Sequence, residues 1–375
     1  MIKLAEITKC SGCAACQQVC VSGAIVMKEN SEGFLFPVIN EKTCVNCKKC
    51  EVVCPAINPL FKAELSTVYA ARAKDEDLVS ISSSGGIFGT LASFVLKNGG
   101  AVFGAGYDEN LKLIHKAAHS EAELLALMGS KYIQSDIMNT FREAKKDVKN
   151  GRKVLFAGTP CQCAGLKKFI GEDSDNLILV DFVCHGVPSP VLFKKYLEYM
   201  SREKAIKSVR FRDKTENKKT GHQISITYTD DSVYRKAVTE DPYMLAFLEN
   251  ISLRKSCYNC SFKSFTSGSD ITIGDFWGLQ KTNSPLKDKD GVSLIVLNTE
   301  KGKALFDTII HSIDYDMRTM DEAVRDNKSI VSSTRKNPLR EKYLKAMHKK
   351  DINRLSGKYC GNSFGAKLRR LIAKR

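Results

Sequence analysis

The chain has 375 residues, of which 43% are hydrophobic and 27% charged. These values fit an ordinary soluble protein that is long enough for two or three domains. The net charge of +16 is unevenly spread, because fourteen Lys and Arg residues stand against only two acidic residues between positions 335 and 375. A basic tail on a nearly balanced body argues against a nucleic-acid-binding surface on that body, so we expect no nucleic-acid partner.

The cysteine content indicates metal binding rather than disulfides. The chain has 14 cysteines. We find no apolar run of about 18 residues that would predict a transmembrane helix, and the first residues lack the apolar core of a signal peptide. Cysteines in a chain without an export signal are expected to stay reduced and are commonly metal ligands. The expected location is therefore the cytoplasm.

The first predicted domain, residues 1–62, contains two cysteine runs of identical spacing, C-x2-C-x2-C-x3-C. This spacing is typical of bacterial-type ferredoxins with two [4Fe–4S] clusters, in which the fourth cysteine of each run binds the other cluster. The predicted ligands of the first cluster are Cys10, Cys13, Cys16 and Cys54, and those of the second are Cys20, Cys44, Cys47 and Cys50. Zinc sites rarely have a third cysteine at the same interval, and a disulfide framework would need export.

Beyond the ferredoxin domain the pattern alternates between strands and helices, which predicts an α/β or α+β fold. Residues 63–330 are expected to form a mixed α/β flavin-binding domain, and residues 331–375 a helical basic tail. Predicted strands lie at 24–27, 34–39, 101–106, 153–157, 177–182, 206–212, 223–229, 233–237, 270–275 and 292–298, and predicted helices at 87–97, 121–128, 136–149, 160–169, 191–202, 242–250 and 301–310. The chain after residue 310 is expected to be mostly helical. The three strands between 206 and 237 resemble a meander.

Four further cysteines predict a third metal site. Cys161, Cys184, Cys257 and Cys260 lie in turns, and two of these turns follow predicted strands, where sites in α/β sheets collect. A C-x2-C pair with two separate cysteines would also suit zinc. With two clusters already in the chain, a third [4Fe–4S] cluster is the more economical interpretation. Cys163 is expected to point away from Cys161 and to pack in the interior.

Six motifs in this order resemble the family of beta subunits of coenzyme F420-reducing hydrogenases and dehydrogenases. They are SSSGG (82–86), GSKYIQS (129–135), GTPCQCAGL (158–166), CHGVPSP (184–190), CYNC (257–260) and ITIGDFWG (271–278). The resemblance implies that FAD lies beside an iron–sulfur cluster and that electrons pass between a hydride carrier and the clusters. The family also includes reductases of other acceptors, so the resemblance does not fix the substrate.

A flavin is also expected from the chemistry, because a hydride donor gives two electrons together whereas a cubane cluster accepts one at a time. Hydroxyl and backbone N–H groups at a helix N-terminus suit a pyrophosphate, although such groups more often form caps and turns. The predicted flavin-binding residues are Ser83, Ser84, Gly85, Gly86, Lys131, Tyr132, Gln134, Ser135, Thr159 and Gln162. His185, next to Cys184, is a candidate proton carrier, and a structural turn histidine is the alternative.

The expected function is that of an iron–sulfur flavoprotein oxidoreductase. Electrons would pass between a hydride carrier, either F420 or NAD(P)H, and a redox protein or catalytic subunit, in a direction that the sequence does not fix. The alternatives are an electron-relay subunit of a larger complex and a reductase of a dedicated substrate in cell-envelope or polysaccharide biosynthesis.

The basic tail carries apolar residues at helical spacing, namely Phe364, Leu368, Leu371 and Ile372. A basic amphipathic helix can lie on an anionic membrane surface or bind an acidic partner. Peripheral contact with the inner membrane surface through this tail is therefore one expectation, and a solvated helix end is the other.

Overall fold

The structure is a computed structural model that describes residues 2–60, 66–214 and 223–360. Within these residues there are thirteen strands and thirteen α-helices, and all further statements about the fold refer to them. The strands are β1 (Ile25–Glu29), β2 (Leu35–Ile39), β3 (Thr67–Ala73), β4 (Ala101–Tyr107), β5 (Leu113–Ala118), β6 (Val154–Gly158), β7 (Leu177–Phe182), β8 (Ile206–Asp213), β9 (Gln223–Tyr228), β10 (Val233–Ala237), β11 (Ile271–Asp275), β12 (Ser293–Leu297) and β13 (Ile313–Arg318). The helices are α1 (Ala15–Gln18), α2 (Lys49–Val52), α3 (Glu76–Ile81), α4 (Ile87–Lys97), α5 (Glu121–Leu124), α6 (Thr140–Lys149), α7 (Pro160–Ile170), α8 (Pro190–Met200), α9 (Pro242–Leu248), α10 (Glu300–Ile309), α11 (Met320–Asp326), α12 (Arg340–Met347) and α13 (Ile352–Tyr359).

An eight-stranded mixed sheet organises the fold, in the order β13-β3-β12-β11-β7-β6-β4-β5. The four central strands β11, β7, β6 and β4 run parallel to one another, and the outer strands are added antiparallel. Parallel strands are buried on both faces. Accordingly, β6 and β7 are almost entirely apolar and inaccessible to solvent.

Alternate residues of the central strands pack against different helices. On one face, Ile178 and Val180 of β7 join a core cluster with α4 and α10. On the other face, Leu177 and Leu179 join a cluster with α6 and α7. The two-residue period of a strand separates these sets, so the sheet is covered on both sides, as expected for an α/β layer structure.

A second lobe combines a three-stranded antiparallel sheet, in the order β10-β9-β8, with helices. Its core includes residues of α8, α9, α12 and α13. The described part of the predicted basic tail thus contributes two helices to a packed core. The predicted amphipathic helix at 361–375 lies outside the described residues.

The cysteine-rich N-terminal region packs against the large sheet's helical layer. Cys13, Ala14 and Ala15 belong to the same core cluster as α6 and α7. The β1–β2 hairpin is held from another side, where Glu32 forms an ion pair of 2.5 Å with the fully buried Arg340. The N-terminal region is therefore held on more than one side.

The mixed α/β fold confirms the predicted class, and the three-stranded meander is present as expected. The prediction that the chain after residue 310 is mostly helical was wrong at β13, which is a strand; α3 and β5 were not predicted, and α6 begins at Thr140 rather than at 136. No α-helix in the described part of the chain is both long and apolar enough to span a bilayer.

Candidate functional site

The third set of cysteines lies at the carboxyl edge of the parallel strands. Cys161 follows β6 by three residues, and Cys184 follows the neighbouring β7 by two. Because the carboxyl ends of parallel strands meet at one edge, ligands commonly bind there. Cys257 and Cys260 reach this edge from a 3-10 helix, Lys255–Asn259, and the residue after it.

These four cysteines, called here the third group, line a single cavity with about 770 Å³ of empty space, its open mouth included. Burial, followed by repulsion from neighbouring thiols, raises the pKa of Cys257 to about 12. Burial also raises the pKa of Cys161 to about 11, with Cys260 adding to the shift. Thiols this close to one another in a buried cavity ionise together only when cations compensate their charge, as bound iron or zinc would.

Glycine at position 186 allows this crowding. Gly186 has a φ of +146°, and a Cβ there would lie 2.9 Å from the Leu253 side chain and 3.3 Å from Cβ of Cys257. The Cys-His-Gly turn therefore passes directly against the Cys-Tyr-Asn-Cys segment because residue 186 has no side chain.

A chain of buried hydrogen bonds leads away from Cys161. Gln162 Oε1 accepts from the backbone N–H and the hydroxyl of Thr159, at 3.0 and 2.9 Å, and the Thr159 hydroxyl lies 3.2 Å from Cys161 Sγ. Gln162 Nε2 donates to Ser135 Oγ at 2.9 Å, which in turn lies 2.8 Å from His115 Nδ1. His115 Nε2 faces the carbonyl of Ala157, so this nitrogen donates and Nδ1 accepts the Ser135 proton. The network fixes the entry of α7 beside the cavity.

Cys10, Cys13, Cys16 and Cys54, the inner group, line a second cavity with about 380 Å³ of empty space. Burial raises the pKa of Cys13 to about 12, with further contributions from Cys10, Cys161 and Cys54. The structure thus brings together the four cysteines that the crossed ferredoxin pattern assigns to one cluster, including Cys54 from the second run.

The remaining ferredoxin cysteines, Cys20, Cys44, Cys47 and Cys50, form the outer group. Cys50 is buried, Cys47 is exposed, and the other two are half-buried. Burial raises the pKa of Cys50, and Cys47 adds a smaller repulsion, so these two thiols are neighbours. The outer group is closer to solvent than the inner group.

Among residues 2–60, 66–214 and 223–360, no three His, Cys, Asp or Glu side chains are placed to hold a single metal ion. A cubane cluster makes a different demand, because each cysteine binds a separate iron at its own corner.

The inner and third groups are adjacent. Cys161 contributes to the pKa shift of Cys13, and Lys9 and Ser11 of the N-terminal region form part of the third-group cavity wall. A Cβ at Gly165 on α7 would come within 2.9 Å of both Cβ and Sγ of Cys13. A side chain at position 165 would therefore separate the ferredoxin region from α7.

The predicted flavin-binding residues form a continuous band rather than one open cradle. Ser83 Oγ accepts from the backbone N–H of Ser130 at 2.6 Å, which joins the first motif to the second. At the other end of the second motif, Ser135 bonds Gln162 next to the thiol cavity. The predicted residues thus extend from the N-terminus of α4 to the third group.

Several groups of this band already have partners within the protein. The N–H of Gly85 donates to Ser293 Oγ at 2.9 Å, and Ser84 Oγ donates to the carbonyl of Val292 at 3.2 Å. Lys131 donates to the carbonyls of residues 127–129, at the end of the 3-10 helix Leu125–Leu127 and just after it. Gly86 adopts a left-handed φ of +82° at the start of α4. Part of the motif therefore serves the turn itself.

Other cations surround the same band. Burial, and then the nearby Arg212, lowers the pKa of Lys214 to about 8, and this lysine donates to the carbonyl of Ser84 at 2.7 Å. Burial, and then Lys116, lowers the pKa of Lys131 to about 7. Arg212 pairs with Asp275, and its buried Nε has no partner among the described atoms. Burial is the larger cause of both lysine shifts, and a positive neighbour adds to each, so this region would favour an anion.

Two titratable groups line the third-group cavity besides the cysteines. His185 donates from Nε2 to Asn250 Oδ1, and burial lowers its pKa. Asp181 is 2% exposed, and its Oδ1 has no partner among the described atoms. Burial raises the pKa of Asp181 to about 6. Sequence reasoning missed this carboxyl group, whose signal was an acidic residue near the end of an otherwise apolar strand.

Sequence reasoning also missed Arg254, which is fully buried between the inner and third groups. It donates to the carbonyl of Cys10 at 2.8 Å and to Gln134 Oε1 at 3.0 Å. Its position three residues before Cys257 was a weak signal, and nothing local in the sequence indicates the contact with a residue 244 positions earlier.

Comparison with known families matches three consecutive parts of the protein. Residues 9–57 match the 4Fe-4S dicluster domain. Residues 68–142 match the N-terminal part, and residues 151–323 the C-terminal part, of the coenzyme F420 hydrogenase/dehydrogenase beta subunit.

Individual proteins are similar to most or to part of this chain. A subunit of the F(420)H(2) dehydrogenase of Methanosarcina mazei is 23% identical over 337 residues, which cover 82% of this protein and 85% of that one. A component of the anaerobic dimethyl sulfoxide reductase of Haemophilus influenzae is 39% identical over 57 residues, or 15% of this protein and 26% of that one. One polypeptide of the F420-reducing [NiFe] hydrogenase complex of Methanosarcina barkeri is similar over 80% of this protein and 93% of its own length, with 17% identity and a TM-score of 0.47.

The two halves of the beta-subunit pattern occur in order, and the dicluster domain precedes them. The protein is thus an iron–sulfur protein that belongs to the family of coenzyme F420 hydrogenase/dehydrogenase beta subunits, a family of oxidoreductases.

Proposed function

We propose that the protein passes electrons between a hydride carrier, which reacts at an FAD, and a protein redox partner, through three [4Fe–4S] clusters. The observation that carries the proposal is the convergence of Cys161, Cys184, Cys257 and Cys260, from distant parts of the sequence, on one cavity beside the inner group. In this proposal the outer group is the end nearest the partner, because it holds Cys47, the one exposed cysteine among the proposed ligands.

The surroundings of the third group favour a cluster over zinc. Four cysteines suit either a zinc ion or a [4Fe–4S] cluster. The same chain carries a 4Fe-4S dicluster domain, and the third group lies directly beside the inner group of that domain. A third cluster would extend this series, whereas a zinc ion has no redox chemistry to contribute to it.

The cations beside the Ser-Ser-Ser-Gly-Gly turn support an anionic cofactor. Burial, and then a neighbouring cation, lowers the pKa of both Lys214 and Lys131. A phosphate group at this position would relieve that repulsion and give Arg212 Nε an acceptor. A bound flavin would supply the conversion between a two-electron hydride and single electrons. The role of the band from Ser83 to Gln162 is then to orient this cofactor toward the third group.

The comparisons suggest which carrier and partner to test first. The Methanosarcina mazei relative is named as a dehydrogenase of reduced F420 and as a subunit. We therefore place reduced F420 before NADH and NADPH as the donor, and a separate catalytic subunit before a free-standing acceptor. The relay-subunit alternative is favoured by the same observation, since that relative is one component of an assembly.

The test is to purify the full-length protein anaerobically and to measure metal, sulfide and flavin per polypeptide. We expect about twelve irons, from three clusters, and one FAD. Each donor is then added under argon while the flavin absorbance is followed. Bleaching by reduced F420 supports a donor oxidoreductase, and bleaching only in the presence of a co-purifying protein supports the relay subunit. Stoichiometric zinc, or a protein without flavin, would overturn the proposal.

A further inference from the structure

The side chain of Arg254 bonds both the inner group and the hairpin, and Arg254 also lines the third-group cavity. Its Nε donates to the carbonyl of Cys10 at 2.8 Å, and its Nη2 donates to the carbonyl of Leu35 at 2.9 Å. Nη2 also lies 3.8 Å from Cys10 Sγ, while Nη1 donates to Gln134 Oε1 at 3.0 Å. The guanidinium is therefore held in one orientation from three sides.

This cation is enclosed. The side chain has no exposed surface, and its guanidinium carbon lies 4.2 Å from the ring centre of Phe36 and 5.3 Å from that of Phe34. Aromatic rings attract a cation and exclude water from it. In such surroundings, a charge acts on its neighbours with little screening.

No carboxylate pairs with Arg254 in the described part of the protein, whereas the other fully buried arginine, Arg340, pairs with Glu32. A buried arginine stays protonated and is strongly unfavourable without an opposite charge. The acidic groups next to Arg254 are thiols instead: Nη2 lies 3.8 Å from Cys10 Sγ, and Arg254 lines the same cavity as Cys161 and Cys257. They belong to both the inner and the third group.

We propose that Arg254 is the shared counter-charge of the inner and third clusters and a positioning residue that raises the reduction potential of both. Reduction adds one electron to a cluster and no proton, so the cluster becomes more negative by one charge. A fixed cation next to its cysteine ligand stabilises this reduced form. For the third group, the inference rests on the proposed function; for the inner group, it requires only the dicluster domain.

Two variants and one control test the inference. Arg254→Gln removes the charge but keeps a side chain that can hydrogen-bond. Arg254→Lys keeps the charge but loses the planar guanidinium and its set of hydrogen-bond donors. Arg340→Gln is the matched control, because it also removes a fully buried arginine that contacts the β1–β2 hairpin and bonds the carbonyl of Leu253. The readout is an EPR-monitored redox titration of each cluster, with iron per polypeptide measured on the same sample.

For Arg254→Gln we expect the ratio of reduced to oxidised cluster at a fixed potential to fall about tenfold for the inner and third clusters, which is about 59 mV for one electron. Arg254→Lys is expected to stay within about threefold of the wild type, and Arg340→Gln should leave both potentials in place. A preparation with only about eight irons would reject the third cluster, yet the inner cluster would still report on Arg254.

Unchanged potentials in an iron-complete Arg254→Gln protein would overturn the inference. If that variant does not fold or loses iron, Arg254→Lys decides. Potentials near those of the wild type in the lysine variant support a role for the charge. A tenfold lower ratio of reduced to oxidised cluster despite the retained charge would mean that only the guanidinium hydrogen bonds matter, and would refute the inference.

Discussion

Cys161 and Cys163 offer a direct test of the third group, because they are two residues apart on the same helix and have different surroundings. Cys161 lines the thiol cavity with Cys184, Cys257 and Cys260. Cys163 is fully buried in the opposite direction, where its Sγ lies 3.6 Å from the carbonyl of Val180. The perturbation is Cys161→Ala, with Cys163→Ala as the matched control.

The expected size of the effect follows from these positions. Cys161→Ala removes one of four ligands of the proposed third cluster, so iron should fall from about twelve to about eight per polypeptide while both ferredoxin clusters remain. Cys163→Ala removes one buried sulfur and its weak hydrogen bond. We expect it to lower the free energy of unfolding by about 1 to 2 kcal/mol and to leave the iron content unchanged.

The assay is iron and acid-labile sulfide per polypeptide on anaerobically purified proteins, with EPR spectra of the reduced samples to count the clusters. Thermal unfolding of each variant shows whether a loss of iron reflects a general loss of structure. If both variants kept all their iron, or if Cys163→Ala lost as much as Cys161→Ala, the assignment of Cys161 as a ligand would be refuted.

Two further predictions concern packing and ionisation. The methyl group of Gly165→Ala would press against Cys13, so this variant should bind less iron at the inner group. Gly357→Ala is the control, because position 357 is on a helix with nothing within 4 Å; it should keep its iron, and its free energy of unfolding should rise by up to about 1 kcal/mol. Iron analysis and urea unfolding are measured on both variants, and equal iron contents would contradict the prediction for Gly165. Burial raises the pKa of Asp181 to about 6, so the stability contributed by its neutral form is complete below its ordinary pKa and is lost as the pH rises through about 6. Asparagine does not ionise, so the unfolding free energy of Asp181→Asn, relative to that of the wild type, should increase by about 1 kcal/mol as the pH rises from about 5 to about 8. Urea unfolding at both pH values measures this difference, and a difference that does not change with pH would contradict the prediction.

The sequence predicts most of the central sheet because its strands are continuous apolar runs between turn residues. Val154–Gly158 and Leu177–Phe182 have this character, and the structure has them as parallel neighbours. The cysteine spacing is equally local, since three thiols of each run come from one short segment. Patterns of this kind need no knowledge of distant contacts.

The elements that were missed are short or at an edge. Ile313–Arg318 alternates apolar and polar residues, which is the period of a half-exposed strand, and it pairs with β3 along one side only. This alternation indicates a strand, but the segment directly follows α10 and the 3-10 helix Ile310–Ser312, so it was interpreted as part of a helical region. Glu76–Ile81 is six residues long, too short for a clear helical period, and depends on the capping carboxylate of Asp75.

Contacts between distant parts of the sequence could not be predicted. Arg254 in isolation looks like one of many basic residues, and only the fold places its guanidinium against the Cys10 carbonyl. Gly165 likewise has no visible reason for lacking a side chain until Cys13 is seen against it. In both cases the decisive partner lies in the ferredoxin region, more than 150 positions earlier in the sequence.

The geometry of α7 gives a physical reason for the order of the proposed relay. Cys161 and Gly165 are four residues apart on this helix, so they lie on the same face and about 6 Å apart along its axis. Cys161 lines the third-group cavity, and Gly165 contacts the inner-group residue Cys13. One helical turn therefore separates the two sites, whereas the outer group holds the one exposed cysteine among the twelve proposed ligands. An electron that leaves the proposed third cluster would pass to the adjacent inner group, and the absence of a side chain at position 165 keeps that step short.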